Sequence, residues 1–118
     1  MGYLIRQMNI EDYDVVLKLW QSSKSIVLST IDSKECVARL LEKNTGLSYV
    51  AIMEDQIVGA VLCSQDGRLG YLSNLIVAPS CRRQGIARQL VSRRTVSRLT
   101  TCVIRRWNES CQDACSPG

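Results

Sequence analysis

The fold of this chain is decided by residues 74–88, which read NLIVAPSCRRQGIAR. The apolar segment up to Val77 is typical of a buried strand, Pro79 ends it, and the small residues Gly85 and Ala87 stand where a helix begins. The first amides of a helix have no internal partner, and the helix dipole adds roughly half a positive charge at that end. The stretch therefore predicts a strand, a tight loop and a helix start that can bind phosphate.

Basic side chains surround the predicted helix start. Arg82, Arg83 and Arg88 add positive charge around its amides, and Gly85 lets the backbone approach a ligand because it has no side chain. The alternative is an ordinary strand-to-helix loop with a solvated basic cluster. The position of the loop between a strand and a helix favours the binding site over this alternative.

The segments before residue 74 predict the element order β-α-α-β-β-β. An opening strand ends at Asn9, which caps an amphipathic helix over residues 10–22. Asp32 and Glu35 have the spacing of a capping box at the start of a second helix, which stops at residues 44–46. Three antiparallel strands are then predicted over residues 47–53, 57–64 and 69–77, with residues 54–56 as the first connection and 65–68 as the second.

Residues 82–87, RRQGIA, resemble the acetyl-coenzyme A (acetyl-CoA) loop of the GNAT family of N-acetyltransferases. That motif is Gln or Arg, two residues, Gly, one residue, then Gly or Ala. The preceding Val77-Ala78-Pro79 and the upstream element order are also similar, so the resemblance covers residues 3–92. It implies an α+β fold of GNAT type, with a mixed, mainly antiparallel sheet and flanking helices in the order β-α-α-β-β-β-α-β, lacking the usual last helix and strands.

The resemblance implies transfer of an acetyl group from acetyl-CoA to a primary amine of a small molecule or a protein N-terminus. Small polyamines, antibiotics, amino acids and protein N-termini all remain open as acceptors. By resemblance, the backbone of residues 75–77 would bind the pantetheine arm and the oxyanion. The implied cofactor-binding residues are Leu75, Ile76, Val77, Arg82, Arg83, Gln84, Gly85, Ile86, Ala87 and Arg88.

The sequence assigns no catalytic residue. The attacking amine must lose a proton, but residues 69–77 contain no carboxylate to assist it. Asp66 and Asp32 are the nearest candidates in sequence, and each is more simply explained as a turn or cap residue. In the family a Tyr after the fifth strand protonates the leaving thiolate, whereas the last Tyr here is Tyr71.

The composition changes after residue 92. Residues 1–80 carry seven Lys and Arg against nine Asp and Glu, whereas residues 81–118 carry eight Arg against two acidic residues. We therefore divide the chain into an acetyl-CoA-binding core, residues 1–92, and an Arg-, Ser-, Thr- and Cys-rich tail, residues 93–118, with one strand predicted over residues 100–104. We interpret the tail as a frameshifted or alternatively encoded end of a truncated acetyltransferase, which reading the coding DNA in its other frames would test.

Two alternatives to an active acetyltransferase stay open. One is a catalytically impaired fragment that still binds acetyl-CoA. The other is a nucleic-acid-binding protein in which tail arginines contact phosphates and Trp107 stacks on a base, although the tail has a single aromatic residue. We expect no nucleic-acid partner. A sheet that stops early would leave an edge that a second copy of the chain could cover as a homodimer.

Composition limits the class of protein. A chain of 118 residues, 46% hydrophobic and 22% charged, is typical of one globular domain. It has no apolar run near the roughly 20 residues needed to cross a bilayer and no secretory signal, so we expect a cytoplasmic protein without a membrane partner. Six Cys without any His and without paired CxxC spacing predict free thiols and no metal site.

Overall fold

A computed structural model describes residues 2–24 and 26–92, and the backbone of residues 102–105. Within these residues the order of the main elements is β-α-α-β-β-β-α-β, as the sequence predicts. The elements are β1 (Leu4–Gln7), α1 (Tyr13–Gln21), α2 (Lys34–Lys43), β2 (Tyr49–Met53), β3 (Gln56–Gln65), β4 (Gly70–Val77), α3 (Ile86–Val91) and β5 (Cys102–Arg105). Apart from β5, the tail predicted over residues 93–118 lies outside the described residues.

The strands form one mixed sheet in the order β1-β2-β3-β4-β5. The first three neighbouring pairs are antiparallel, whereas β4 and β5 are parallel and pair from Gly70 with Cys102 to Ser73 with Arg105. This arrangement confirms the predicted α+β class with a mainly antiparallel sheet. None of the helices in the described part of the chain has the length and apolar character to cross a bilayer.

Helices cover both faces of the sheet. α1 and α2 pack on one face through buried side chains that include Val16, Trp20 and Val37. α3 packs on the opposite face through Ile86 and Leu90, which are fully buried. The sheet is therefore the middle layer, and burial of apolar surface on its two faces is the main term that stabilises the fold.

An ion pair joins β1 to the start of α1. Both terminal nitrogens of Arg6 donate to the carboxylate of Asp12 at 2.8 Å, and the Asn9 amide donates to the same carboxylate at 2.9 Å. Asn9 in turn accepts from the Glu11 amide at 3.1 Å and caps a 3-10 turn over Ile10–Asp12. This turn leads directly into α1, so the α-helix begins three residues later than predicted. Burial opposes ionisation of Asp12, but these hydrogen bonds and the Arg6 charge outweigh it and lower the pKa of Asp12.

The predicted capping box at the start of α2 is wrong. α2 begins at Lys34 and is capped by Ser33, whose hydroxyl accepts from the Cys36 amide at 3.2 Å. Asp32 belongs to a separate 3-10 turn, and its carboxylate accepts from the Ser29 amide at 2.9 Å. The physical reason is the extended backbone of Ser33, at ψ 157°, which separates that turn from the helix.

The connection between β2 and β3 is one residue shorter than predicted. Glu54 and Asp55 alone form it, with φ of 52° and 64°, and Met53 pairs with Gln56. Two-residue turns with positive φ match the right-handed twist of a hairpin, and the tighter turn forms here although it contains neither the usual Asn nor Gly.

Candidate active site

Strand β4 contains a bulge at Asn74. Ala60 of β3 pairs with Ile76, but Leu62 pairs with Ser73, so β4 has one residue more than β3 between these pairs. Asn74 has φ 53°, in the left-handed region that Asn tolerates better than most residues. A bulge shifts the alternation of side chains along a strand. Ser73 and Asn74 consequently line the same cavity although they are neighbours in sequence.

The bulge is held in place by α1 and by the 3-10 turn that precedes α2. The side-chain amide of Asn74 donates to the Asp32 carboxylate at 2.9 Å, just before α2. The indole N–H of Trp20, in α1, donates to the Asn74 carbonyl at 3.3 Å. Asn74 and Asp32 are both buried. These contacts tie the bulge to the elements that cover this face of the sheet.

A cavity of about 490 Å³ lies between this part of the sheet and the segment that leads into α2. Its described lining combines one carboxylate, one amide, three hydroxyl groups and three aliphatic side chains. The lining residues are Ile31, Asp32, Leu40, Leu62, Ser64, Tyr71, Ser73 and Asn74. The volume lies within the range of small-molecule sites in proteins, roughly 300 to 1,000 Å³.

The turn that carries Asp32 is tied to α1 by Tyr13. The Tyr13 hydroxyl donates to the backbone carbonyl of Asp32 at 2.6 Å. Burial, followed by the negative charges of Asp32 and Asp14, raises the pKa of the Tyr13 phenol. Tyr13 therefore stays protonated and holds the turn beside the cavity.

The loop between β4 and α3 turns back over the end of the strand. Its first basic residue, Arg82, donates from Nε to the Val77 carbonyl at 3.2 Å. Arg83 and Gly85 have φ of 64° and 82°. A Cβ on Gly85 would meet no atom within 4 Å, so open space lies in front of this backbone. The loop thus presents an accessible backbone at the start of α3.

The ten residues that the sequence predicts for the cofactor site meet at the carboxyl end of β4 and the start of α3. Five of them are buried in the core, so a ligand would meet their backbone; they are Leu75, Ile76, Val77, Ile86 and Ala87. Arg83, Gln84 and Gly85 are exposed, whereas Arg82 and Arg88 are half-buried. The sequence has no acidic residue between Asp66 and Glu109, so this end of β4 lies in a stretch of chain whose charges are all positive.

Asp66 is a turn residue, which is the simpler of its two candidate roles, the other being assistance in deprotonating the amine. Its carboxylate accepts from the amides of Leu69 at 2.7 Å and Arg68 at 2.9 Å. These two bonds lower the pKa of Asp66. Asp32, in contrast, lines the cavity. Sequence reasoning missed its contact with Asn74, and the one local signal was an amide side chain directly before the apolar residues 75–77 of a predicted strand.

Among the described residues, Cys36, Cys63 and Cys81 are not joined in a disulfide. Across residues 2–24 and 26–92, His, Cys, Asp and Glu form no group of three or more that could hold a metal ion. The remaining cysteines lie in the tail, in part outside the described residues.

Residues 12–95, which include the whole bulge and the basic loop, match the profile of the Acetyltransferase (GNAT) family. The chain belongs to this family. It is 33% identical over 89 residues to an acetyltransferase of Pectobacterium atrosepticum and 30% identical to one of Sodalis glossinidius. Each alignment covers 75% of this chain and 62% of the relative. The chain thus matches less than two thirds of the length of these GNAT proteins.

Solved structures share the GNAT fold. The diaminobutyrate acetyltransferase of Paenibacillus lautus, in complex with L-2,4-diaminobutyric acid and coenzyme A, superposes with a TM-score of 0.67 at 22% identity, covering 96% of this chain and 61% of that one. An aminoglycoside acetyltransferase from an uncultured soil metagenomic sample, in complex with sisomicin, gives 0.65 at 17% identity, covering 98% and 89%. The predicted family and fold class are confirmed.

Proposed function

We propose that this chain binds acetyl-CoA at the junction of β4 and α3 and transfers its acetyl group to a primary amine. The observation that carries the proposal is the position of the Asn74 bulge beside an exposed, arginine-bearing loop at the end of one strand. The curated relatives are named acetyltransferases, and the Paenibacillus lautus structure contains coenzyme A. The proposal assigns cofactor binding to residues 1–92, which hold all ten predicted residues.

The residues at this junction fit an anionic ligand with a long, narrow arm. The open space in front of Gly85 leaves room for a diphosphate against the backbone of residues 83–87, and Arg83 and Arg88 supply positive charge. Residues 75–77 would border the pantetheine arm through their backbone, because their side chains are buried. Acetyl-CoA supplies an activated acyl group as a thioester.

The reaction requires a neutral nucleophile. An alkyl ammonium group has a pKa near 10.4, so the acceptor must lose one proton before its nitrogen attacks the thioester carbonyl. A carbon–nitrogen bond forms and the carbon–sulfur bond breaks. The sulfur leaves with the electron pair and takes up a proton, and the amine loses its second proton to become an amide.

The binding step is tested by placing a negative charge in front of the loop. Gly85→Glu is expected to abolish acetyl-CoA binding, because the carboxylate would occupy the place of a phosphate. Gly67→Glu is a matched control, since Gly67 is also exposed, has a positive φ of 89° and has no atom within 4 Å of its would-be Cβ. Isothermal titration calorimetry with acetyl-CoA measures both variants. Unchanged binding by Gly85→Glu would contradict the site.

The transfer step is tested by mass spectrometry of acetylated amines after incubation of the full chain with acetyl-CoA. Detection of released coenzyme A with a thiol reagent is less suitable, because the chain has six cysteines of its own. Binding of acetyl-CoA without any acetylated product would leave the chain as a cofactor-binding protein and overturn the proposed transfer.

A further inference from the structure

We propose that Tyr3 is a positioning residue for the basic loop, residues 78–85, which connects β4 to α3. The Tyr3 hydroxyl donates to the backbone carbonyl of Gly85 at 3.5 Å, across a separation of 82 positions in sequence. The inference rests on the proposed function, which assigns the diphosphate of acetyl-CoA to the backbone of residues 83–87. Tyr3 itself lies outside the ten residues that the sequence predicts for the cofactor site.

The sheet and the core hold the Tyr3 side chain beside the loop. Tyr3 directly precedes β1, whose first residue, Leu4, pairs with Ile52 of β2. The Tyr3 ring is half-buried and packs against the buried cluster that contains Ile86 and Leu90 of α3. This packing restricts the ring, so less conformational entropy is lost when its hydroxyl bonds to the loop.

The hydrogen bond acts on the peptide that joins Gly85 to Ile86. The Gly85 carbonyl also accepts from the Gln89 amide at 3.0 Å, in the first turn of α3. The peptide is trans, so its N–H and its carbonyl point in opposite directions. Two bonds to the carbonyl therefore fix the direction of the Ile86 amide, which belongs to the backbone assigned to the diphosphate.

The basic loop needs contacts that hold its backbone. Arg83 and Gly85 have φ of 64° and 82°, and glycine adopts positive and negative φ about equally readily, so Gly85 alone does not select this conformation. Arg82 ties the middle of the loop to the Val77 carbonyl. Tyr3 ties its end, just before α3. A loop that is ordered before binding leaves less entropy to be lost when the cofactor binds.

Isothermal titration calorimetry of the full chain with acetyl-CoA tests the role of the hydroxyl. Tyr3→Phe keeps the ring and is expected to weaken binding about threefold, a modest effect because the bond is long. Tyr49→Phe is the control. Tyr49 pairs with Gln7 at the other end of β1, and its half-buried ring packs against the same cluster. Unchanged affinity in Tyr3→Phe, or equal weakening by both variants, would overturn the inference.

A further replacement and a second ligand separate the hydrogen bond from a general effect on the fold. Replacement of Tyr3 with 4-aminophenylalanine restores a donor on the ring and is expected to restore the affinity for acetyl-CoA. S-acetylpantetheine has no diphosphate, so Tyr3→Phe is expected to bind it as the wild type does. Failure of the amine to restore affinity, or an equal loss of affinity for both ligands, would mean that Tyr3 does not act through the loop.

The contact itself can be tested without any ligand, which keeps this inference apart from the proposed function. The Gln89 amide shares the Gly85 carbonyl with Tyr3, so Tyr3→Phe is expected to raise its hydrogen-exchange rate about threefold by NMR. Unchanged exchange overturns the positioning role even where acetyl-CoA binds. Faster exchange in a protein that does not bind acetyl-CoA overturns the proposed function and leaves Tyr3 as a structural contact alone.

Discussion

The side-chain amide of Asn74 lies 2.9 Å from the carboxylate of Asp32, and this hydrogen bond joins the bulge of β4 to the turn before α2. The two residues are 42 positions apart in sequence. Their contact brings the wall of the cavity to the point where β4 turns toward the basic loop. The cavity and the proposed cofactor site therefore share one structural element, strand β4.

Two replacements of Asn74 distinguish the contribution of its hydrogen bond to stability from the contribution of its backbone conformation. Asn74→Gly loses the bond to Asp32 but still adopts φ 53° freely, whereas Asn74→Ala must hold a Cβ in the left-handed region. Both variants are expected to be less stable than the wild type, and the alanine variant by a further 1 kcal/mol or so. Urea unfolding measures the difference. Equal stability of the two variants would show that the bulge imposes no backbone strain.

Gly59 sets the distance between the sheet and α3. A Cβ at this position would lie 3.1 Å from the Ile76 carbonyl oxygen and 3.3 Å from Cδ1 of Leu90. Gly59→Ala is therefore expected to destabilise the protein by roughly 1 to 3 kcal/mol, as overpacked cores are. Gly2→Ala is the control, because a Cβ there would meet no atom within 4 Å. Unfolding midpoints that coincide for both variants would contradict this packing.

Local signals in the sequence were sufficient for the strand, loop and helix of residues 74–88. Pro79 ends the strand because its ring restricts the backbone, and Gly85 precedes the helix because it has no side chain to restrict it. Helix caps, apolar periodicity and turn residues likewise predicted the order of the elements upstream, and that order supported the family resemblance. These features depend on neighbours in the chain, which is why they could be read from it.

Features that depend on distant neighbours were not predicted. The bulge at Asn74 arises from the register of β4 against β3, and the cavity arises where Asp32 meets that bulge. The cap of α2 was assigned to Asp32 because its spacing to Glu35 is correct. Ser33, the actual cap, is also a preferred N-cap residue, and its extended backbone, which decides between the two caps, could not be read from the sequence.

The ion pair between Arg6 and Asp12 predicts how stability depends on pH. The folded state lowers the pKa of Asp12, so the unfolded state binds more protons once the pH approaches the ordinary carboxyl pKa of about 3.9. The stabilisation is present above that value and is lost as the pH falls through the lower folded-state pKa. Asp12→Asn is expected to be less stable near neutral pH and to show a shallower loss of stability in acid.

Urea unfolding at a series of pH values measures this effect. Asp14→Asn is a suitable control, because Asp14 is an exposed neighbour in α1. If the wild type and Asp12→Asn lose stability in parallel as the pH falls, the ion pair makes no contribution to acid sensitivity.

Reversal of one charge in the basic loop tests whether positive charge contributes to cofactor affinity. Arg83→Glu places a negative charge beside the proposed diphosphate. Residue 83 is exposed, and neither Arg nor Glu is branched at Cβ, so the substitution adds no backbone strain at φ 64°. We expect affinity for acetyl-CoA to fall by about tenfold or more at low salt, and the difference from wild type to shrink as salt screens the charges. Arg68→Glu makes the same change on an exposed turn at the other end of β4 and is expected to bind normally. Equal weakening by both variants would mean that the net charge of the protein, rather than the loop, attracts the cofactor.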